Sequence, residues 1–168
     1  MAIASATRVL AGNRDFDFFF GRWKVHNRRL AKRLAGCEEW QEFEATCECQ
    51  PILGGWGNMD EYRTHFWPNF VGCTLRLYDP VAETWSIYWL DTRNSVGVLQ
   101  PPVVGRFRDR VGVFEAHEEF EGRPIIVRFT WDAVDAERPR WEQAFSPDGG
   151  KTWETNWVNQ FVRADASR

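Results

Sequence analysis

The sequence predicts an all-β fold, an antiparallel up-and-down barrel of roughly ten strands with one short N-terminal helix, over residues 1–168 as a single domain. Three observations carry this expectation. Apolar residues recur with a period of two over almost the whole chain after Gly21, and turn signals interrupt them at the spacing of about 8–12 residues that all-β domains show. A single helix cannot cover two apolar sheet faces, so closure of the sheet on itself buries the dry face and removes the edges more economically than a two-sheet sandwich.

The elements follow in order. Asn13 to Gly21 offers a polar cap, Phe16, Phe19 and Phe20 at i, i+3 and i+4, and a glycine stop, which together read as a short amphipathic helix. From Gln41 the alternation is clear, with Phe43, Ala45, Cys47 and Cys49 on one face and Glu42, Glu44, Thr46 and Glu48 on the other. Turns are expected at 53–55, 67–69, 79–80, 108–110, 121–123 and 148–150, where Gly, Pro, Asn and Asp tolerate tight or left-handed backbone. Asn94 to Pro102 is the longest candidate for a mobile loop and for a lid over an opening.

Composition narrows the function. A formal net charge of −3 with 27% charged residues gives no Lys and Arg excess for nucleic acid. The N-terminus carries no apolar run followed by a cleavage site, so neither a secretory signal nor a membrane span is expected, and the protein is placed in the cytoplasm. Cys37, Cys47, Cys49 and Cys73 form no C-x-x-C, and His26, His65 and His117 sit at no metal-binding spacing, so no metal site is expected. Ten Trp and thirteen Phe are heavy loading for one core and point to wide apolar surfaces, either half-buried sheet faces or the lining of a cavity.

The run Phe18-Phe19-Phe20-Gly21-Arg22-Trp23 resembles the G-x-W pattern of lipocalins, in which a short helix plugs the barrel and the Trp opens the first strand. In that resemblance Arg163, near the end of the last strand, packs over Trp23 as a structural cation–π contact. Residues 53–63, 75–80 with 85–89, and 141–153 are similar to an uncharacterised family of lipocalin-like, calycin-type domains. The resemblance implies a lipocalin or fatty-acid-binding-protein-like barrel and no agreed reaction. Classical lipocalins are secreted and disulfide-bonded, so their extracellular carrier roles do not transfer to this chain. Ser146 to Trp153 also matches the S-x-D-x-G-x-T-W box of sialidase propellers. It occurs once, and its physics is a braced hairpin turn.

Polar groups on inward-facing positions are the candidates for ligand contact. Taking Trp23 as inward puts Asn27 and Arg29 on the same face, and Trp141 alternates with Gln143. In the last strand Thr155 and Asn159 share one face and Asn156 takes the other, unless a bulge shifts the parity. Arg63, Arg76, Tyr88, Trp89 and Arg128 complete the candidate set. Arg63 beside Glu61 and Arg76 beside a neighbouring acid also fit solvated pairs, and Tyr88 and Trp89 also fit core positions. No nucleophile elbow, phosphate loop or Cys-His signature occurs.

The reading these residues favour is intracellular binding of a small hydrophobic or amphipathic molecule in the barrel, with a polar or acidic group met by an inward Arg. A cyclase or isomerase using the cavity as an active site is the alternative, and acid and base on opposite walls would mark it. A structural module without a ligand is the third, marked by exposed Trp on the outer wall. The ligand class, haem included, stays open, as does a homodimer.

Overall fold

The computed structural model describes residues 12–95 and 97–164. Ten strands close in sequence order into one antiparallel barrel: β1 (Gly21–Leu30), β2 (Trp40–Ile52), β3 (Gly57–Thr64), β4 (Val71–Asp79), β5 (Thr84–Asp91), β6 (Val103–Arg108), β7 (Val111–Phe120), β8 (Arg123–Asp132), β9 (Arg140–Ser146) and β10 (Glu154–Arg163), with β10 pairing back onto β1. The fold is the calycin-like barrel expected. Period-two patterning explains it, because each strand sends alternate side chains inward: Trp23, Val25 and Asn27 on β1 are buried while Lys24, His26 and Arg28 between them are exposed.

The expected N-terminal helix is corrected to a turn that ends in a single 3-10 turn at Asp17–Phe19. Phe16, Phe19 and Phe20 have helical spacing, but what fixes this segment is burial: Phe16 and Phe19 drop into the barrel end against Trp85, Phe107, Trp131 and Phe161. The segment closes one end. Trp23 Nε1 donates to Phe19 O at 2.8 Å, Arg163 lies over the Trp23 ring at 3.8 Å, and the same guanidinium donates to the carbonyls of Phe18 and Phe20. Gly21 sits at φ +105, and a Cβ there would meet the Arg163 guanidinium at 3.0 Å, so the G-x-W glycine serves both backbone and packing.

The turns fall where expected. Asp109 and Arg110 between β6 and β7, and Glu121 and Gly122 between β7 and β8, take the paired positive φ that matches strand twist in two-residue hairpins. In the 146–153 box, Asp148 accepts from the N–H of Lys151 and Thr152 and from the Thr152 hydroxyl, while Ser146 Oγ accepts from the Gly150 N–H. The box is a braced turn. The strands alternate direction, so the loops after β1, β3, β5, β7 and β9 all meet at the end opposite the aromatic plug, and that end holds the mouth.

Among the described residues no helix is long and apolar enough to cross a membrane. The described part of the N-terminal stretch begins at Gly12, so the signal reading for residues 1–11 lies outside it.

Candidate functional site

The barrel encloses a cavity of about 630 Å³, within the range of small-molecule sites. Its floor rests on the plug residue Phe19 with Trp131 and Phe161, and its mouth is bordered by Trp67, Phe70 and Phe120. Gly72 helps to make the room: a Cβ there would stand 2.3 Å from the Trp89 ring, so the wall needs glycine at that point.

Arg76 on β4 lies at the floor and is 2% exposed. Its guanidinium donates to Asp60 Oδ2 at 2.7 Å and to Asn58 Oδ1 at 2.9 Å, and it lies over the rings of Phe16, Phe19 and Trp131 at 5.1–5.5 Å. Burial pulls its pKa down, the Asp60 carboxylate and the adjacent thiols push it up, and the net shift is upward, so the group stays charged. Arg76 Nε and Asn58 Nδ2 have no partner. Burial lifts the inward thiol of Cys47 well above its ordinary pKa and pushes that of Cys49 up to about 12, which disfavours the thiolate beside this pair.

The walls carry a second polar set. Asn27 is fully buried and its Oδ1 accepts from the Tyr62 hydroxyl at 2.7 Å and from Trp157 Nε1 at 3.0 Å, so it orients two ring walls from behind. Burial raises the Tyr62 hydroxyl pKa, which keeps it a neutral donor. Gln143 Nε2 donates to Asn156 Oδ1 at 2.8 Å, while Asn159 Oδ1 and Asn156 Nδ2 remain without partners.

At the mouth Arg29 lies over the indoles of Trp67 at 5.4 Å and Trp157 at 5.3 Å, and Arg33 over Phe120 at 4.7 Å and Phe145 at 5.5 Å. Arg93, Asn94, Ser95, Gln100 and Pro101 from the long β5–β6 connection complete this border, so the loop singled out in sequence does stand at the opening. Asp91 anchors it, accepting from Trp89 Nε1, the N–H of Arg93 and Asn94, and the Asn94 amide. Despite burial, these bonds hold its carboxyl below the usual range. Glu118 also lines the mouth, with its pKa raised by burial.

Of the sequence candidates, Arg29, Arg76, Trp89, Trp141, Gln143 and Asn159 converge on this one cavity, and Asn27 stands behind its wall. Three are corrected. Arg63 points outward and pairs with Glu61 at 2.9 Å, since Asp60, Tyr62 and Thr64 take the inward positions of β3. Tyr88 is one step out of phase with the inward Trp85, Ile87 and Trp89. Arg128 also faces out, bonded to Glu115 at 2.6 Å and lying over Trp153 at 3.6 Å. A register shift between Thr155 and Trp157 corrects the parity of β10, exposing Thr155 and burying Asn156.

Asp60, Tyr62, Trp67 and Arg33 belong to the cavity and were not singled out in sequence. The outward Glu61 and Arg63 imply an inward Asp60 and Tyr62 by alternation alone, so that signal was present. Loop residues Arg33 and Trp67 carry no such period.

No family model matches the chain, and no curated protein matches it in sequence. Among solved structures the chain is similar to a phycobiliprotein lyase, CPES, from Guillardia theta, with a TM-score of 0.54 at 12% identity over 90% of this chain and 92% of that one. At that identity the likeness concerns the barrel fold.

Proposed function

We propose that this protein binds a small, largely apolar organic molecule inside the barrel and orients it with a few fixed polar groups. One observation carries the reading: an aromatic-walled cavity of about 630 Å³ whose lining includes Arg29, Arg76 and Asn159, each of which carries a buried polar atom without a hydrogen-bond partner. Buried polar atoms without partners are costly in a solid core and are satisfied by a ligand or by water. The likeness to a phycobiliprotein lyase supports the barrel fold in which such a site would sit.

The lining favours a container over an acid–base enzyme. Of its carboxylates, Asp60 is paired with Arg76 and Asp91 is committed to its loop, leaving Glu118, and none of the three histidines lines the cavity. The solid-barrel alternative has no support from this interior, and no Trp side chain stands exposed on the outer wall to mark an interaction module.

The test is native mass spectrometry of the protein purified from its own host, followed by organic extraction. A retained small molecule is the expected result. An empty protein whose thermal midpoint also ignores lipids, haem and aromatic metabolites would overturn the reading.

A further inference from the structure

We propose that the ligand is an organic acid bound with its carboxylate at the mouth, gripped by Arg29 and Arg33, and with its apolar body directed down toward the Arg76 floor. This rests on the container reading and adds the chemical class and orientation of the occupant.

The argument is one of charge and of which donors are free. Among the described residues the only cation at the floor is Arg76, and Asp60 neutralises it at 2.7 Å, so a second anion would have no uncompensated charge to meet there. The mouth is different. Among the described residues, Arg29, Arg33 and Arg93 have no carboxylate within ion-pair distance, and neither Arg29 nor Arg33 donates a hydrogen bond from its guanidinium. What holds Arg29 and Arg33 is contact over aromatic rings, Trp67 and Trp157 for the first and Phe120 and Phe145 for the second. Such contacts consume none of the in-plane N–H groups, which form the fork that matches a carboxylate. Both side chains are thereby fixed in place with their anion-binding edge unspent, which lowers the entropy lost on binding.

No acid that faces this region pairs directly with Arg29 or Arg33: Asp91 is tied to its own loop, Glu154 accepts the Leu34 N–H at 2.8 and 3.1 Å, and Glu118 makes no ion pair. Glu121 and Glu154 act on Arg33 only as longer-range charges that offset part of its burial, and the net shift of its pKa is still downward. Burial, followed by the charges of Arg33 and Arg93, pulls the Arg29 pKa down to about 10, the direction expected of a desolvated cation that lacks a counter-ion. A ligand carboxylate would supply that counter-ion.

The test uses 1-pyrenebutyric acid and its methyl ester as probes, with binding followed by pyrene fluorescence on the full chain. The two share the apolar body and differ in the charge. The expected result is that the acid binds at least tenfold tighter than the ester to the wild-type protein. The Arg29→Gln/Arg33→Gln variant then brings the acid down to the affinity of the ester and leaves the ester unchanged, while Arg63→Gln, which removes an equal charge from the outer wall, keeps the tenfold ratio. Equal binding of acid and ester to the wild-type protein overturns the carboxylate site and leaves the container reading intact. Failure of both compounds to bind the wild-type protein overturns the carboxylate site, and the container reading then stands or falls with the native mass spectrum. The wild-type ratio needs no variant to fold, so it decides the matter by itself.

Discussion

The side chains of Arg76 and Asp60 are each 3% exposed, so their ion pair is buried on both sides. Removing one partner from such a pair strands the other in an apolar interior, which costs far more than the pair's net worth. Asp60→Asn is therefore expected to destabilise the protein by roughly 3–5 kcal/mol in urea unfolding, whereas the double replacement Asp60→Leu/Arg76→Met recovers most of that loss. A single variant within about 1 kcal/mol of wild type would mean that water already reaches the pair. Asn27 follows the same logic on a smaller scale, since its one oxygen serves both Tyr62 and Trp157. Neither residue was readable as a hub from sequence: alternation puts Asn27 inward, but its two partners come from strands 35 and 130 residues away.

The β9–β10 hairpin shows what local sequence can specify. The Ser146 to Trp153 box forms the turn with its own side chains, and Arg128, set over Trp153, ties it to the outer wall. The Thr152 hydroxyl, followed by the backbone N–H groups it shares with the turn, pulls the Asp148 pKa from 3.8 down to about 2. A carboxylate with a lowered folded pKa stabilises the folded state fully above pH 3.8, and that contribution drains away as the pH falls toward 2. A carboxyl-carbon NMR titration of the folded protein is expected to place Asp148 near pH 2. A midpoint at its ordinary 3.8 would remove the braced-turn account. Within the same hairpin, the bulge before Trp157 in β10 is where period-two alternation breaks, because an extra residue reverses every face assignment on one side of it.

Seen whole, the molecule is a barrel sealed at one end by its own N-terminal aromatics and bordered at the other by arginines stacked on rings. An occupant that binds only the closed barrel shifts its unfolding equilibrium by mass action, by about 2.7 kcal/mol at a hundredfold excess over Kd. For a chain of this length that is roughly 5–11 °C in Tm. Differential scanning calorimetry with 1-pyrenebutyric acid is expected to show a rise of this size, and an unchanged Tm at saturating fluorescence would place the probe on the outer surface instead.

Strand count, turn sites and most of the inward polar set were determined by the sequence alone, because period two and turn chemistry are local properties that survive any tertiary context, whereas the Arg163 partner of Trp23 was legible only through the lipocalin resemblance. The N-terminal turn in place of a helix, the bulge at Asn156, the outward Arg63, Tyr88 and Arg128, and the loop arginine Arg33 were decided only by the tertiary structure. Each depends on which surface lies opposite a side chain once the sheet has closed. That is a relation between residues far apart in the chain, and no local pattern encodes it.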